Sequence, residues 1–379
     1  MNDAAGFDPT ALGFEPVPTP WGPAWWRVED VPLGPAPAPV DARWGPALGV
    51  NHPGPRAFLD LEATGRRITA STYAFLVGLL VWQGEEGRFH QWVLPHPAAE
   101  AALWHHVAAL WPAGAVLFTY NGARFDLPLL QTRAQMAGVA PGPWEDAAHV
   151  DVLPWVRRAF RGAWPDHRLA TAAARLAAMP RPADDLDAAL LPELYHHALL
   201  TRDPLPLRPA QSHHRADVLA LAAVWAALAR ELAALPPTRA YPAATWLSRG
   251  RLYAQHHDWP RARAAFQRAQ TRARTPDERR QAGLRLAEVY RRLGEPDAAH
   301  ALWRELAAEG VWEAYQHLIR AALRDRDPNT ACRWLRQAQA HLRAATTSPL
   351  ERALWQPKFA ALARRVQRGQ GTACDAEAT

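Results

Sequence analysis

The sequence predicts an α/β domain with a mixed sheet, followed by an all-α helical repeat region. Three observations carry this. Residues 51–235 alternate apolar strand-like runs with helical ones in a βββαβα order. The composition turns uniformly helical after about residue 240. Aromatic and small residues then recur there at a period slightly longer than about 34 residues.

The element on which the α/β part turns is Phe58-Leu59-Asp60-Leu61-Glu62-Ala63-Thr64-Gly65. It reads as a buried strand ending in a turn. Strand side chains alternate faces, so Asp60 and Glu62 point one way and Leu61 the other. Two carboxylates on an apolar strand repel one another and resist desolvation, and a hard divalent cation removes both penalties. The competing reading is an edge strand with its polar face in water.

Tyr73 to Trp82 and Arg88 to Leu94 are the next two strands, close enough in sequence for an antiparallel meander. Ala99 to Leu110 is helical, and Ala115 to Tyr120 is a fourth strand. Pro128 suits the first turn of a helix reaching about Met136. Between them lies Tyr120-Asn121-Gly122-Ala123-Arg124-Phe125-Asp126, at a strand C-terminus, where open α/β sheets gather ligands. A helix cap is the alternative role for Asp126. Asp151 reads as the N-cap of another helix, with Pro154 in its first turn. After a proline-rich loop ending at Pro209, a long apolar helix opens with Ser212-His213-His214-Arg215-Ala216-Asp217 and reaches about Leu235. His213 and Asp217 are four residues apart and share a helix face.

Residues 1–50 form a Pro/Trp-rich N-terminal arm, expected to be extended and irregular and held down by its tryptophans. Residues 240–366 form the helical region, with Trp246, Gly250, Tyr253, Ala262, Phe266 and Ala269 in its first unit. Residues 367–379 read as a disordered tail.

Composition narrows the function classes. The formal net charge is +6, and Lys358 is the only lysine among 43 basic residues. Arginine forks suit phosphate, a mild pointer to a polyanionic partner. The two cysteines, Cys332 and Cys374, stand apart from every candidate metal cluster, against a zinc site. The most apolar long run, Val218 to Leu235, contains Arg230 and Glu231 and reads as a core helix rather than a membrane span. No signal-peptide pattern opens the chain, and a cytoplasmic protein is expected.

Taken together, the three polar stretches resemble the DEDD (DnaQ-like) 3′–5′ exonucleases, which have the ribonuclease H-like fold, and most closely their YprB-like branch. Asp60 and Glu62 match the family's first motif, Asn121, Phe125 and Asp126 its second, and Asp217 with His213 its third. The stretch Leu191-Pro192-Glu193-Leu194-Tyr195 is similar to one in that branch. The resemblance covers roughly residues 55–235 and implies a ribonuclease H-like mixed sheet flanked by helices.

It also implies that Asp60, Glu62, Asp126 and Asp217 bind two Mg²⁺ or Mn²⁺ ions, with Asn121 and Phe125 against the substrate. His213 is the implied general base, in the spacing of the family's tyrosine subclass, and His214 is the alternative. The implied activity is two-metal-ion hydrolysis of phosphodiester bonds, preferably at single-stranded DNA 3′ ends, in DNA repair or turnover. An exoribonuclease and a non-catalytic adaptor for nucleic acid and protein are the alternatives. The C-terminal region resembles tetratricopeptide repeats, which implies a protein partner, and access to unpaired ends suggests a helicase. No membrane partner is expected.

Overall fold

A computed structural model of the 379-residue chain describes residues 6–139, 141–182, 185–234, 240–344 and 347–370. The chain divides into two units, residues 1–238 and 239–379.

The first unit is built on a seven-stranded mixed sheet. Its strands are β1 (Glu15–Thr19), β2 (Gly22–Pro32), β3 (Arg56–Ala63), β4 (Ala74–Gln83), β5 (Glu86–Val93), β6 (Val116–Thr119) and β7 (Ala148–Asp151), in the spatial order β1-β2-β5-β4-β3-β6-β7. β3, β6 and β7 run parallel, and the remaining neighbours pair antiparallel. The helices are α1 (Glu100–Ala109), α2 (Asp126–Met136), α3 (Val152–Ala159), α4 (Leu169–Leu176), α5 (Leu191–Thr201) and α6 (Arg208–Ala233).

Alternation along β3 divides its side chains between two cores. Ala57, Leu59 and Leu61 join Trp104, Leu129, Leu130 and Tyr195 in a cluster fed by α1, α2 and α5. Phe58 points to the other side, stacking on Phe118 at 4.8 Å and meeting the edge of Trp225 from α6. Trp225 is fully buried, and its Nε1 donates to the Leu48 carbonyl at 2.9 Å. Burying each large apolar side chain of α6 against the sheet contributes about 2 kcal/mol. Asp60 and Glu62 lie on this α6 side, two and four residues beyond Phe58.

Close approach of α6 needs Gly78, which pairs with Asp60 across β3 and β4. A Cβ there would lie 2.8 Å from both His214 Cε1 and Val218 Cγ2. Any larger residue would push the helix off the sheet.

The structure corrects three readings. The expected irregular arm is not irregular: β2 pairs with β5 from Trp25 to Pro32. The sheet therefore begins well before residue 51. Pro16 and Pro18 are tolerated because β1 is an edge strand, where a missing donor can face solvent. The long C-terminal helix of this unit starts at Arg208, with Pro209 in its first turn, so His213 and Asp217 sit inside the helix. Asp126 is the first residue of α2 rather than its cap. Asp151, by contrast, caps α3 through Leu153 N as the spacing predicts.

The second unit is a succession of antiparallel helices: α7 (Ala243–Gln255), α8 (Trp259–Arg272), α9 (Pro276–Arg292), α10 (Pro296–Ala308), α11 (Trp312–Arg324), α12 (Pro328–Arg343) and α13 (Pro349–Gln370). Each packs on the next, and α7 also meets α9, as α11 meets α13. Gly250 admits the Phe266 ring so closely that a Cβ would come within 2.4 Å of it. Buried Ala262, Ala269 and Ala299 serve the same close packing. Because α13 reaches Gln370, the first residues of the expected tail are helical, and residues 371–379 lie outside the described residues. No described helix is long and apolar enough to cross a membrane.

Candidate active site

Four carboxylates from three distant segments line one cleft of about 560 Å³. β3 supplies Asp60 and Glu62, the start of α2 supplies Asp126, and α6 supplies Asp217. His213, Asn121 and Phe125 line the same cleft, so every residue singled out from the sequence except His214 faces it.

Backbone contacts fix the two strand-borne ends. The Leu61 N–H donates to Asp126 Oδ1 at 3.1 Å, which ties α2 to β3 between the two acidic residues. The turn before α2 carries Asn121 in a left-handed conformation, φ 71°. Asp151 holds it there, accepting from Asn121 N at 2.8 Å and Ala123 N at 3.4 Å. An Asx-type residue tolerates that backbone region at little cost.

The electrostatics are those of crowded acids. Burial, followed by repulsion from Asp126, Glu62 and Asp217, holds the Asp60 carboxyl well above the usual range. Burial and then the charges of Asp217 and Asp126 push Glu62 up to about 8. Burial raises Asp126 to about 6, against the lowering effect of the Leu61 hydrogen bond. Asp217 is also raised, chiefly by burial, with Arg181 and His213 opposing. Such a set holds more negative charge than its surroundings neutralise.

The two adjacent histidines have different roles in the packing. His214 is fully buried, with Gln91 Nε2 3.0 Å from its Nδ1 and the Asp60 carbonyl 3.0 Å from its Nε2. Both nitrogens are thus engaged, and burial lowers its pKa to about 4. It is a neutral strap between α6 and β3. His213 Nε2 lies 3.5 Å from Asp217 Oδ2, and its Nδ1 lies 3.0 Å from Asp185 Oδ1.

Two residues of the site had no local sequence signal. Arg181 and Asp185 lie in the segment between α4 and α5, which reads simply as a proline break. Arg181 bonds Asp217 and, at 2.6 Å, Asp185, and its Nη1 is 3.1 Å from each ring nitrogen of His213. Their partners on α6 are about thirty residues or more away along the chain, beyond the reach of any periodicity argument.

The donor set fits a divalent metal. Ligand atoms of Glu62, His213 and Asp217 all lie within 4.8 Å of one another. Carboxylate oxygens with one imidazole suit a hard or borderline cation such as Mg²⁺ or Mn²⁺. The raised carboxyls are what a cation would relieve, and Arg181 already supplies part of that compensation to Asp217.

Residues 57–229 match the family model of the ribonuclease H superfamily. That span runs from β3 through most of α6 and contains all four acidic residues and His213. A protein of Bacillus subtilis (strain 168) described as "Uncharacterized protein YprB" is 25% identical over 255 residues, 66% of this chain. The chain spans 59% of the length of that relative. The first unit thus contains a ribonuclease H-like domain.

Proposed function

We propose that the chain is a 3′–5′ exonuclease of the DEDD type, hydrolysing phosphodiester bonds with a two-metal-ion site. The observation that carries this reading is the meeting of Asp60, Glu62, Asp126 and Asp217 around one cleft from three separate segments.

Asp60, Glu62 and Asp217 would hold one metal, and Asp60 with Asp126 the second. When bound, such a pair activates water and neutralises charge on the attacking and leaving oxygens. The protein's own groups do the rest. His213, turned toward the cleft, takes the proton of the attacking water at Nε2, and the Asp185 carboxylate keeps Nδ1 protonated. Asn121 and Phe125 sit where the terminal nucleotide would rest, the phenyl ring offering a stacking face. Exposed Arg66 and Arg124 stand on the rim, where their guanidinium forks would meet strand phosphates. A single-stranded DNA 3′ end is the preferred substrate, and a role in DNA repair or turnover accords with it.

The test is digestion of matched single-stranded DNA and RNA oligonucleotides, labelled at either end, with Mn²⁺, with Mg²⁺ and with EDTA. Stepwise shortening of 5′-labelled DNA, abolished by EDTA and by Asp60→Asn, is the expected result. Faster digestion of RNA would make it an exoribonuclease. Tight binding without any cleavage would leave a nucleic-acid adaptor.

A further inference from the structure

Arg181 engages the groups that a metal and a proton would need. Its Nη2 donates to Asp217 Oδ1. Its Nη1 donates to Asp185 Oδ2 at 2.6 Å and lies 3.1 Å from each ring nitrogen of His213. Glu62, His213 and Asp217 are the residues whose ligand atoms gather within 4.8 Å of one another, so the guanidinium holds two of the three. With a proton on Nδ1 beside Asp185, Nε2 carries the ring's lone pair, and Arg181 stands against that atom as well. Burial raises the Asp60, Glu62 and Asp217 carboxyls, and the Arg181 charge opposes the rise in all three.

We propose that Arg181 is an internal counter-cation that holds the metal-free site closed, and that a divalent cation binds by displacing it from Asp217 and His213. This inference rests on the metal-dependent reading of the cleft given above. The two cations exclude one another. A neutral imidazole has one in-plane lone pair to offer, and a dication on the same carboxylate would meet a full positive charge a few ångströms away. Exchange is favourable because a dication returns twice the charge to the crowded acids. The way out is open, since the Arg181 side chain is 26% exposed and its guanidinium can turn to water. Asp185 remains beside it as an anchor. The same movement uncovers His213 Nε2, so the base and the metal ligands become available together. The competing role is a permanent strut between this segment and α6. The two roles differ in sign: losing a strut loosens Asp217 and His213 and weakens metal binding, whereas losing a competing cation strengthens it.

The experiment is isothermal titration of the full chain with MnCl₂, without nucleic acid. It compares the parent, Arg181→Gln and Arg124→Gln, the last removing the same charge from the cleft rim. Arg181→Gln is expected to tighten Mn²⁺ binding about tenfold or more, because a charge-assisted hydrogen bond no longer has to be broken. Arg124→Gln should change it by less than about threefold, since an exposed charge is screened. Circular dichroism checks the fold, and Arg181→Met, which keeps the aliphatic stem, takes over if Arg181→Gln unfolds. Unchanged or weaker Mn²⁺ binding in the Arg181 variant makes it a strut and overturns the proposal, with the exonuclease reading left standing. Equal tightening in Arg124→Gln would trace the effect to net charge and overturn it too. Absence of Mn²⁺ binding in the parent and every variant would overturn both readings at once.

Discussion

The Asp185 carboxylate stands 3.0 Å from Nδ1 of His213, a residue 28 positions further along the chain. An ionised Asp185 favours the proton on Nδ1, while Nε2 lies 3.5 Å from Asp217 Oδ2 and 3.1 Å from Arg181 Nη1. Asp185→Asn removes the charge that holds this tautomer. A hydrogen bond to a charged group is worth about 1.5–3 kcal/mol. We expect kcat to fall roughly 10- to 100-fold with KM nearly unchanged, and Asp185→Glu to restore part of it. Steady-state cleavage of a labelled oligonucleotide in Mn²⁺ measures both constants, and a change confined to KM would remove Asp185 from the chemistry.

Asp60→Asn and Asp217→Asn separate activity from stability. Each takes one charge from a mutually repelling set, so the metal-free variants should melt no lower than the parent, and higher in the case of Asp60. Cleavage should fall by about three orders of magnitude or more, because a metal-activated water is lost. Thermal melts with and without MnCl₂ should find that the metal-induced rise in Tm has vanished.

The raised carboxyls fix a pH dependence. Glu62 titrates at about 8 and Asp126 at about 6 in the folded chain, both above their values in an unfolded one. Between about pH 4 and those values the folded state holds more protons than the unfolded state, so stability falls as pH rises. Above about pH 6.5 buried histidines such as His90 and His214 are neutral in both states and no longer oppose this trend, so the metal-free protein should melt at lower temperature at pH 8 than at pH 6.5. Mn²⁺ should stabilise it more at pH 8, where fewer protons have to be displaced. Melting curves in EDTA from pH 6.5 to pH 8 check the sign, and a Tm that climbs across that range would refute it.

Gly78→Val tests the seat of α6. The added Cβ meets His214 and Val218 at 2.8 Å, and the branched methyls worsen the clash. Overpacking of this kind costs about 1–3 kcal/mol, measurable as a lower urea midpoint. Because the same helix carries His213 and Asp217, cleavage should fall along with stability.

Period-two alternation already put Asp60 and Glu62 on one face of β3, and four-residue spacing put His213 beside Asp217. The strands from β3 to β6 and the helix after Asp126 were legible for the same reason, since apolar periodicity and a first-turn proline are local signals. β1 and β2 were not, because proline and glycine hide strand propensity and only pairing with β5 makes those residues a sheet. Nor did local pattern distinguish His213 from His214. That difference arises when Gln91 and the Asp60 carbonyl occupy both nitrogens of one ring between helix and sheet, while Asp185, Arg181 and Asp217 surround the other ring at the cleft. The sequence by itself determined which acidic residues and which pair of histidines are candidates for the chemistry, because side-chain type and local spacing are written into it. Only the tertiary structure decided their charge state and partners, because burial and long-range hydrogen bonds exist only once the distant segments have packed together.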